Sequence, residues 1–213
     1  PIYDPHTSSL YGEDGSDVMQ HKELRSQWPV VAPVSPEEPG HKDPTKITRL
    51  KIQLGLGCNY NCNYCLQRNE VWKATKSSHG DAVWFMQNLD KWLKSEPTNI
   101  EFWGGEPLLY WTKIKKLHWD LKDRFPKASF LMITNGSLLT EDIIHYLHQH
   151  EFRVVISHDG PGQHNRGPDP LEDKAQYAMI KKLVETCKGR CSINAVLSPS
   201  SFDVAAIETF FRE

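Results

Sequence analysis

The 213-residue chain has no run of about 18 apolar residues, so nothing in it reads as a membrane-spanning helix. Its N-terminus, Pro1-Ile2-Tyr3-Asp4-Pro5-His6, lacks the basic and apolar regions of a secretory signal peptide. Neither sign of charge prevails. The 25 Lys and Arg stand against 27 Asp and Glu, a formal charge of −2, which gives no global electrostatic reason to bind nucleic acid or an anionic membrane. Cysteines are scarce and odd in number, five in all, and three fall within eight residues, which suits a metal site in a reducing compartment better than a disulfide framework. There is no internal repeat and no heptad run. These absences leave a globular, cytoplasmic protein long enough to bury one substantial core.

Two regions differ in texture. Residues 1–45 carry seven prolines with scattered Asp, Glu, His and Ser and only short apolar pieces such as Trp28-Pro29-Val30-Val31, which reads as an extended arm, a partly ordered tail on the domain surface. From residue 46 to 213, β-rich runs alternate with amphipathic stretches, the pattern of βα units around a parallel sheet. Strands are expected at Arg49–Leu54, Asn99–Trp103, Ser129–Thr134, Arg153–Ser157 and Ser192–Leu197. Helices are expected at Gly80–Ser95, Thr112–Arg124, Thr140–His150, Asp173–Cys187 and Ser201–Arg212. In the first helix Ala82, Met86, Leu89 and Leu93 form an apolar stripe widened by Phe85 and Trp92, with Trp84 on the polar side. Thr140, followed by Glu141 and Asp142, is a helix N-cap with acidic residues in the first turn. Five such units make an open flavodoxin-like sheet or part of a barrel and are too few for a closed eight-fold barrel. In either case chemistry belongs at the C-terminal ends of the strands.

After the first strand comes Gly55-Leu56-Gly57-Cys58-Asn59-Tyr60-Asn61-Cys62-Asn63-Tyr64-Cys65, with thiols spaced C-x3-C-x2-C. Thiolates are soft donors suited to iron–sulfur clusters, zinc or copper(I), and one short loop lets them wrap a single centre. A closed zinc site needs four ligands, and the only nearby reserve is His79. On a four-iron cluster, three thiolates leave one iron open to an outside ligand.

Cys58, Cys62 and Cys65, with aromatic Tyr64 before the last, resemble the signature loop of the radical S-adenosylmethionine (SAM) enzymes, and the position after the first strand agrees. The resemblance implies a partial (βα)6 TIM-like barrel, of which about five units are present behind an N-terminal extension. It also implies a [4Fe-4S] cluster whose open iron chelates the amino and carboxylate groups of SAM. Reduction of that cluster would cleave SAM to methionine and a 5'-deoxyadenosyl radical that abstracts hydrogen from a substrate. Tyr64 would lie against the adenine, a role compatible with simple packing.

The other strand ends fit the same family. Gly104-Gly105-Glu106-Pro107 is a turn by itself, and after the second strand it looks like the family's GGEP motif, whose glycine backbone and carboxylate engage the SAM amino group. Thr134 and Asn135, in Thr134-Asn135-Gly136, are similar to residues that face SAM or substrate. Ser157-His158-Asp159-Gly160-Pro161 resembles the S-x-D-G-P motif of members with a C-terminal SPASM or twitch extension, where the Ser position helps hold SAM, and the resemblance puts Ser157 and Asp159 at the cofactor. His158 stands where an apolar residue is usual, an outward-facing residue or a substrate contact. Gln163-His164-Asn165-Arg166 is similar to a His and Arg that follow this motif in peptide-modifying members. Arg166 would pair with the SAM carboxylate, over an interval from Ser157 shorter than the family's usual one. Cys187 and Cys191 are too few thiols for a second four-iron cluster and read as buried or harmless.

The family core has six strands where this sequence carries five, so the reading expects a core whose C-terminal part, with any cysteine-rich extension, lies elsewhere. The function expected is radical SAM chemistry on a peptide or protein substrate, with a reducing partner such as flavodoxin or ferredoxin. Two alternatives stand beside it: radical chemistry on a small molecule or nucleoside, as in 7-carboxy-7-deazaguanine synthase relatives, and a non-catalytic cluster- or zinc-binding scaffold.

Overall fold

The computed structural model describes residues 2–4, 9–11, 47–67, 79–198 and 201–212. The chain divides into two compact units, Pro1–Lys42 and Asp43–Glu213. In the first, β1 (Ile2–Asp4) and β2 (Ser9–Tyr11) pair antiparallel, Ile2 opposite Tyr11. The arm therefore carries a short hairpin that its proline content does not announce.

The second unit is built on five strands: β3 (Arg49–Gln53), β4 (Asn99–Trp103), β5 (Ser129–Thr134), β6 (Arg153–Ser157) and β7 (Cys191–Asn194). They pair in parallel, in the order β3-β4-β5-β6-β7. This order decides between the two architectures left open by strand count. A flavodoxin-like sheet reverses direction at a switch point, whereas strands added one after another to the same edge build a barrel wall.

Between and after the strands come α1 (His79–Trp92), α2 (Trp111–Arg124), α3 (Glu141–Gln149), α4 (Lys174–Thr186) and α5 (Val204–Arg212). Local capping sets several of the boundaries. Thr140 accepts from the Ile143 N–H, Asp173 from those of Ala175 and Gln176, and Asp203 from that of Ala206. The last of these starts α5 at Val204 rather than at Ser201. Two 3-10 segments, Pro107–Tyr110 and Gly160–Asn165, follow strands where only turns were expected.

One face of the sheet forms the core. Leu50, Ile52, Ile100, Phe102, Phe130, Met132, Val154 and Ile156 join Ala82, Leu89 and Leu93 of the α1 side and Ile114, Leu117, Ile144, Leu147 and Leu183 of the later helices in one buried cluster. Trp84 is 65% exposed, as its place on the polar side of α1 implies. The other face of the sheet is polar at β3 and β4. Lys51 pairs in register with Glu101 and Gln53 with Trp103. Glu101 takes ion pairs from Arg49 (3.2 Å) and Lys51 (3.3 Å), and the Lys51 ammonium lies 5.3 Å from the Trp103 ring centroid. Among the described residues, no helix is long and apolar enough to cross a membrane.

A second polar feature lies on the helical side. His118 of α2 is 2% exposed, its Nδ1 is 2.8 Å from the Tyr146 hydroxyl, and its ring packs against Phe130, Phe152 and His150. Burial, reinforced by the His150 and Lys122 charges, lowers its pKa to about 4. A histidine whose folded pKa is depressed supports the fold fully above its ordinary value of about 6.5, and that support is lost as pH falls toward 4. The expected loss is up to about 3 kcal/mol across that window. Denaturant titrations at pH 7 and pH 4.5 should show it in the wild type and show a flatter dependence in His118→Phe. The difference between the two proteins isolates His118 from Glu106, whose raised pKa acts in the opposite direction.

Candidate active site

The loop that carries the cysteines is held by continuation of the β3–β4 ladder beyond the strands. Leu54 N–H donates to the Trp103 carbonyl (2.8 Å), Gly105 N–H to that of Gly55 (2.9 Å) and Glu106 N–H to that of Gly57 (2.9 Å). Glycine is required on the β4 side. A Cβ on Gly105 would stand 2.0 Å from the Gly57 carbonyl oxygen, and Gly104 adopts φ +144° with its Cβ position 2.5 Å from the Gly55 oxygen. Tyr110 braces the loop from the end of the first 3-10 segment, its hydroxyl accepting from the Gly57 N–H at 2.8 Å.

Cys58, Cys62 and Cys65 are half-buried on the wall of a cavity of about 330 Å³. Tyr64, Gly104, Gly105, Glu106, Thr134, Asn135, Ser157 and Arg166 line the same cavity. Of the site residues expected from sequence, only Asp159 is not on the wall. Tyr60, Trp103, Ile133 and Val196 are wall residues that motif reading passes over. Strand alternation carries the signal for two of them, because Trp103 and Ile133 stand two residues before the motif residues Gly105 and Asn135 and so share their side.

Burial raises the pKa of Cys58, whose sulfur accepts from the Tyr60 N–H at 3.4 Å and whose thiolate would face Glu106, Cys62 and Cys65. Burial also raises that of Cys62, while the Arg166 charge works to lower it. Thiolates crowded in this way need a nearby cation, which iron supplies. Among the described residues no three His, Cys, Asp or Glu side chains form a site for one metal ion. A [4Fe-4S] cluster makes no such demand, since each cysteine binds a different iron, and the donor set fits it. The side chain of His79, the reserve ligand for zinc, lies outside the described residues.

Glu106 is 1% exposed and caps the 3-10 segment that follows it. Its Oε1 accepts from the Thr134 hydroxyl (2.6 Å) and the Leu108 N–H (3.0 Å), and its Oε2 from the Asn135 N–H (2.8 Å). Burial raises its pKa, and these donors pull it back. A carboxylate offers about four acceptor positions, so one stays open on a residue of the cavity wall, where a cationic amine would be favoured. Asn135 also donates to Asn59 (2.9 Å) and accepts from the Ser137 N–H and hydroxyl, tying β5 to the cysteine loop. Thr134 and Asn135 thus reach the cavity with much of their bonding capacity already committed to Glu106 and the loop.

The end of β6 departs most from expectation. Ser157 lines the cavity, but His158 is neither outward-facing nor on the wall: it is 1% exposed. Its Nδ1 accepts from the Gly160 N–H (3.0 Å), so its Nε2 donates to Asp169 (2.9 Å), and its ring stacks on Phe210 of α5. Asp159, expected at the cofactor, lies behind the wall. The second 3-10 segment folds the chain back so that Asn165 accepts from Asn63 through backbone (2.8 Å) and side chain (2.7 Å). That return brings Arg166 to the cavity despite the short interval from Ser157, with Nη1 donating to the Tyr64 hydroxyl at 2.8 Å and Nε buried with no hydrogen-bond partner among the described residues. Residues 195–197 leave the strand because the Val196 N–H turns to Asp159 instead of a neighbouring strand. Cys187 and Cys191 sit apart from the cavity in or against the core, where burial pushes Cys191 up to about 11.

Comparison with known proteins agrees with this geometry. The radical SAM superfamily model matches residues 52–201. The radical SAM cyclopropyl synthase TigE of Paramaledivibacter caminithermalis is 26% identical over 175 residues, covering 74% of this chain and 37% of that protein. A cysteine-type anaerobic sulfatase-maturating enzyme of Clostridium perfringens is 26% identical over 143 residues, covering 62% of this chain and 38% of its own. The solved structure of native anSMEcpe with bound AdoMet and Cp18Cys peptide superposes with a TM-score of 0.62 at 23% identity, over 77% of this chain and 47% of that one. The chain spans less than half the length of each of these relatives. The strand order, the cavity at the strand ends and the family match together place the chain in the radical SAM superfamily, whose cofactors are a [4Fe-4S] cluster and SAM.

Proposed function

We propose that Cys58, Cys62 and Cys65 bind three irons of the cluster, that the surrounding strand ends hold SAM, and that the substrate is a peptide or protein side chain. The observation that carries the reading is that one cavity collects all three thiols together with Glu106, Ser157 and Arg166 from different strand ends. The reduced cluster supplies the electron that cleaves SAM to methionine and a 5'-deoxyadenosyl radical. Glu106 offers its open acceptor position to the SAM amino group, and Arg166 offers its guanidinium to the carboxylate. Gly104 and Gly105 let the backbone pass close to the ligand, Thr134 and Asn135 hold Glu106 and the loop in place, and Ser157 adds a hydroxyl to the same wall. Tyr64 presents its ring to the adenine.

The peptide reading is supported by Ser157-x-Asp159-Gly160-Pro161 and by likeness to an enzyme named for maturing a sulfatase. The polar sheet face of Arg49, Lys51 and Glu101, next to cavity residue Trp103, gives a polar substrate a surface to lie on. A low-potential donor such as flavodoxin or ferredoxin supplies the electron, in the cytoplasm, where the free cysteines stay reduced.

The test is 5'-deoxyadenosine formation by anaerobically reconstituted protein, with and without a strong reductant. Reductant-dependent product is expected. No product from protein that holds about four irons per chain, the content of one [4Fe-4S] cluster, would overturn the assignment of SAM cleavage to this chain.

A further inference from the structure

A single carboxylate behind the cavity wall holds three residues of that wall. Asp159 is 1% exposed. Its Oδ2 accepts from the Tyr64 hydroxyl, and its Oδ1 accepts from the Val196 N–H at 2.9 Å and lies 3.5 Å from Nη1 of Arg166. Tyr64, Val196 and Arg166 all line the cavity. They come from separate segments: the cysteine loop, the stretch after β7 and the return after the second 3-10 segment.

The arrangement is closed on itself. The Tyr64 hydroxyl donates to Asp159 and accepts from Arg166, so the side chain cannot swing about χ1 away from the wall without breaking both bonds. Arg166, 9% exposed, has its buried counter-ion in Asp159. Asp159 is itself fixed, its N–H donating to the Gln163 side chain (3.3 Å) and its carbonyl accepting from the Gly162 N–H (3.1 Å). Next to it, His158 is pinned by Gly160 and Asp169 and covered by Phe210.

We infer that Asp159 is a positioning residue that sets the Tyr64 ring and the Arg166 guanidinium for SAM without itself reaching the cavity. The inference rests on the cluster and SAM site proposed above. Tyr64→Phe removes one hydroxyl and keeps the ring. Asp159→Asn keeps the shape and removes the charge. Each variant, and the double variant, is reconstituted anaerobically, its iron and sulfide content and thermal midpoint are recorded, and SAM binding is measured by equilibrium dialysis.

Supporting groups one layer behind a ligand site are commonly worth 10- to 100-fold, and a loss of at least about tenfold in SAM affinity is expected for Asp159→Asn. Tyr64→Phe should lose affinity in the same direction, and the double variant should be no weaker than Asp159→Asn alone, because both changes break one network. The electron paramagnetic resonance signal of the reduced cluster should match wild type without SAM and differ from it with saturating SAM, a split that general destabilisation would not produce. Wild-type affinity in Tyr64→Phe, or losses that multiply in the double variant, would overturn the inference. Failure of the cluster-loaded wild type to bind SAM would instead overturn the site reading on which it rests.

Discussion

Cys62→Ala is expected to leave the chain folded and to remove its cluster. The side chain is half-buried, and the local turn is held by backbone, through the Cys65 N–H donating to the Cys62 carbonyl at 3.1 Å. Truncation should therefore cost no more than about 1 kcal/mol in the apo protein, within the ordinary range for a substitution that opens no core cavity. The functional cost is of another order. On the proposed ligation one iron would lose its only protein ligand, and the remaining thiols would not hold four irons with the fourth left open for SAM. Iron after anaerobic reconstitution should fall well below the about four per chain of the intact site, and reductant-dependent 5'-deoxyadenosine should drop to background. An unchanged iron content together with retained SAM cleavage would sink the ligand assignment.

Gly105→Ala should be the most damaging single methyl in the site. The added carbon would meet the Gly57 oxygen at 2.0 Å, the Gly57 carbonyl carbon at 2.5 Å and the Leu56 oxygen at 2.6 Å. All three are backbone atoms, and relief means separating the two loops at the bonds Gly105 to Gly55 and Glu106 to Gly57. Overpacking of about 1–3 kcal/mol plus two lost backbone hydrogen bonds of about 1 kcal/mol each amounts to about 3–5 kcal/mol. At about 2–4 °C per kcal/mol for a domain of this size, the thermal midpoint should fall by about 10 °C. Cluster retention should fall with it, since the loop carrying Cys58 is the part displaced. Gly57→Ala makes the contrast. Among the described residues its added carbon meets only the Tyr110 side chain, with the hydroxyl at 2.7 Å, so relief costs the one bond from the Gly57 N–H to that hydroxyl rather than a separation of backbone. Thermal unfolding of both variants in the apo form tests the difference, and a Gly105→Ala midpoint within about 2 °C of wild type would refute the close-approach argument.

Legibility followed the range of the interactions. The βα alternation, the apolar stripe of α1 and the cap at Thr140 were readable because each depends on neighbours within a few residues, and the structure keeps them with boundaries moved by up to three positions. The fifth strand was overextended because Val196 bonds to Asp159, 37 residues away, an attraction that strand propensity does not contain. His158 stands where the family usually has an apolar residue, which suggested an outward or substrate-facing place, whereas Asp169, Gly160 and Phe210 give it a satisfied buried one.

By itself the sequence determined the parallel βα pattern, the strand ends at which chemistry must sit and the soft-donor loop suited to an iron–sulfur cluster. These follow from local periodicity, backbone requirements and donor chemistry. The barrel wall was expected from the resemblance and the strand order agrees with it, and Arg166 lines the cavity where the same resemblance put it, whereas the tertiary structure alone decided that Asp159 stands behind that wall and that Tyr64 and Arg166 meet on it. Tyr64 lies 95 residues from Asp159 and 102 from Arg166, and contacts over such distances arise from chain closure and packing, which no local pattern in one sequence specifies.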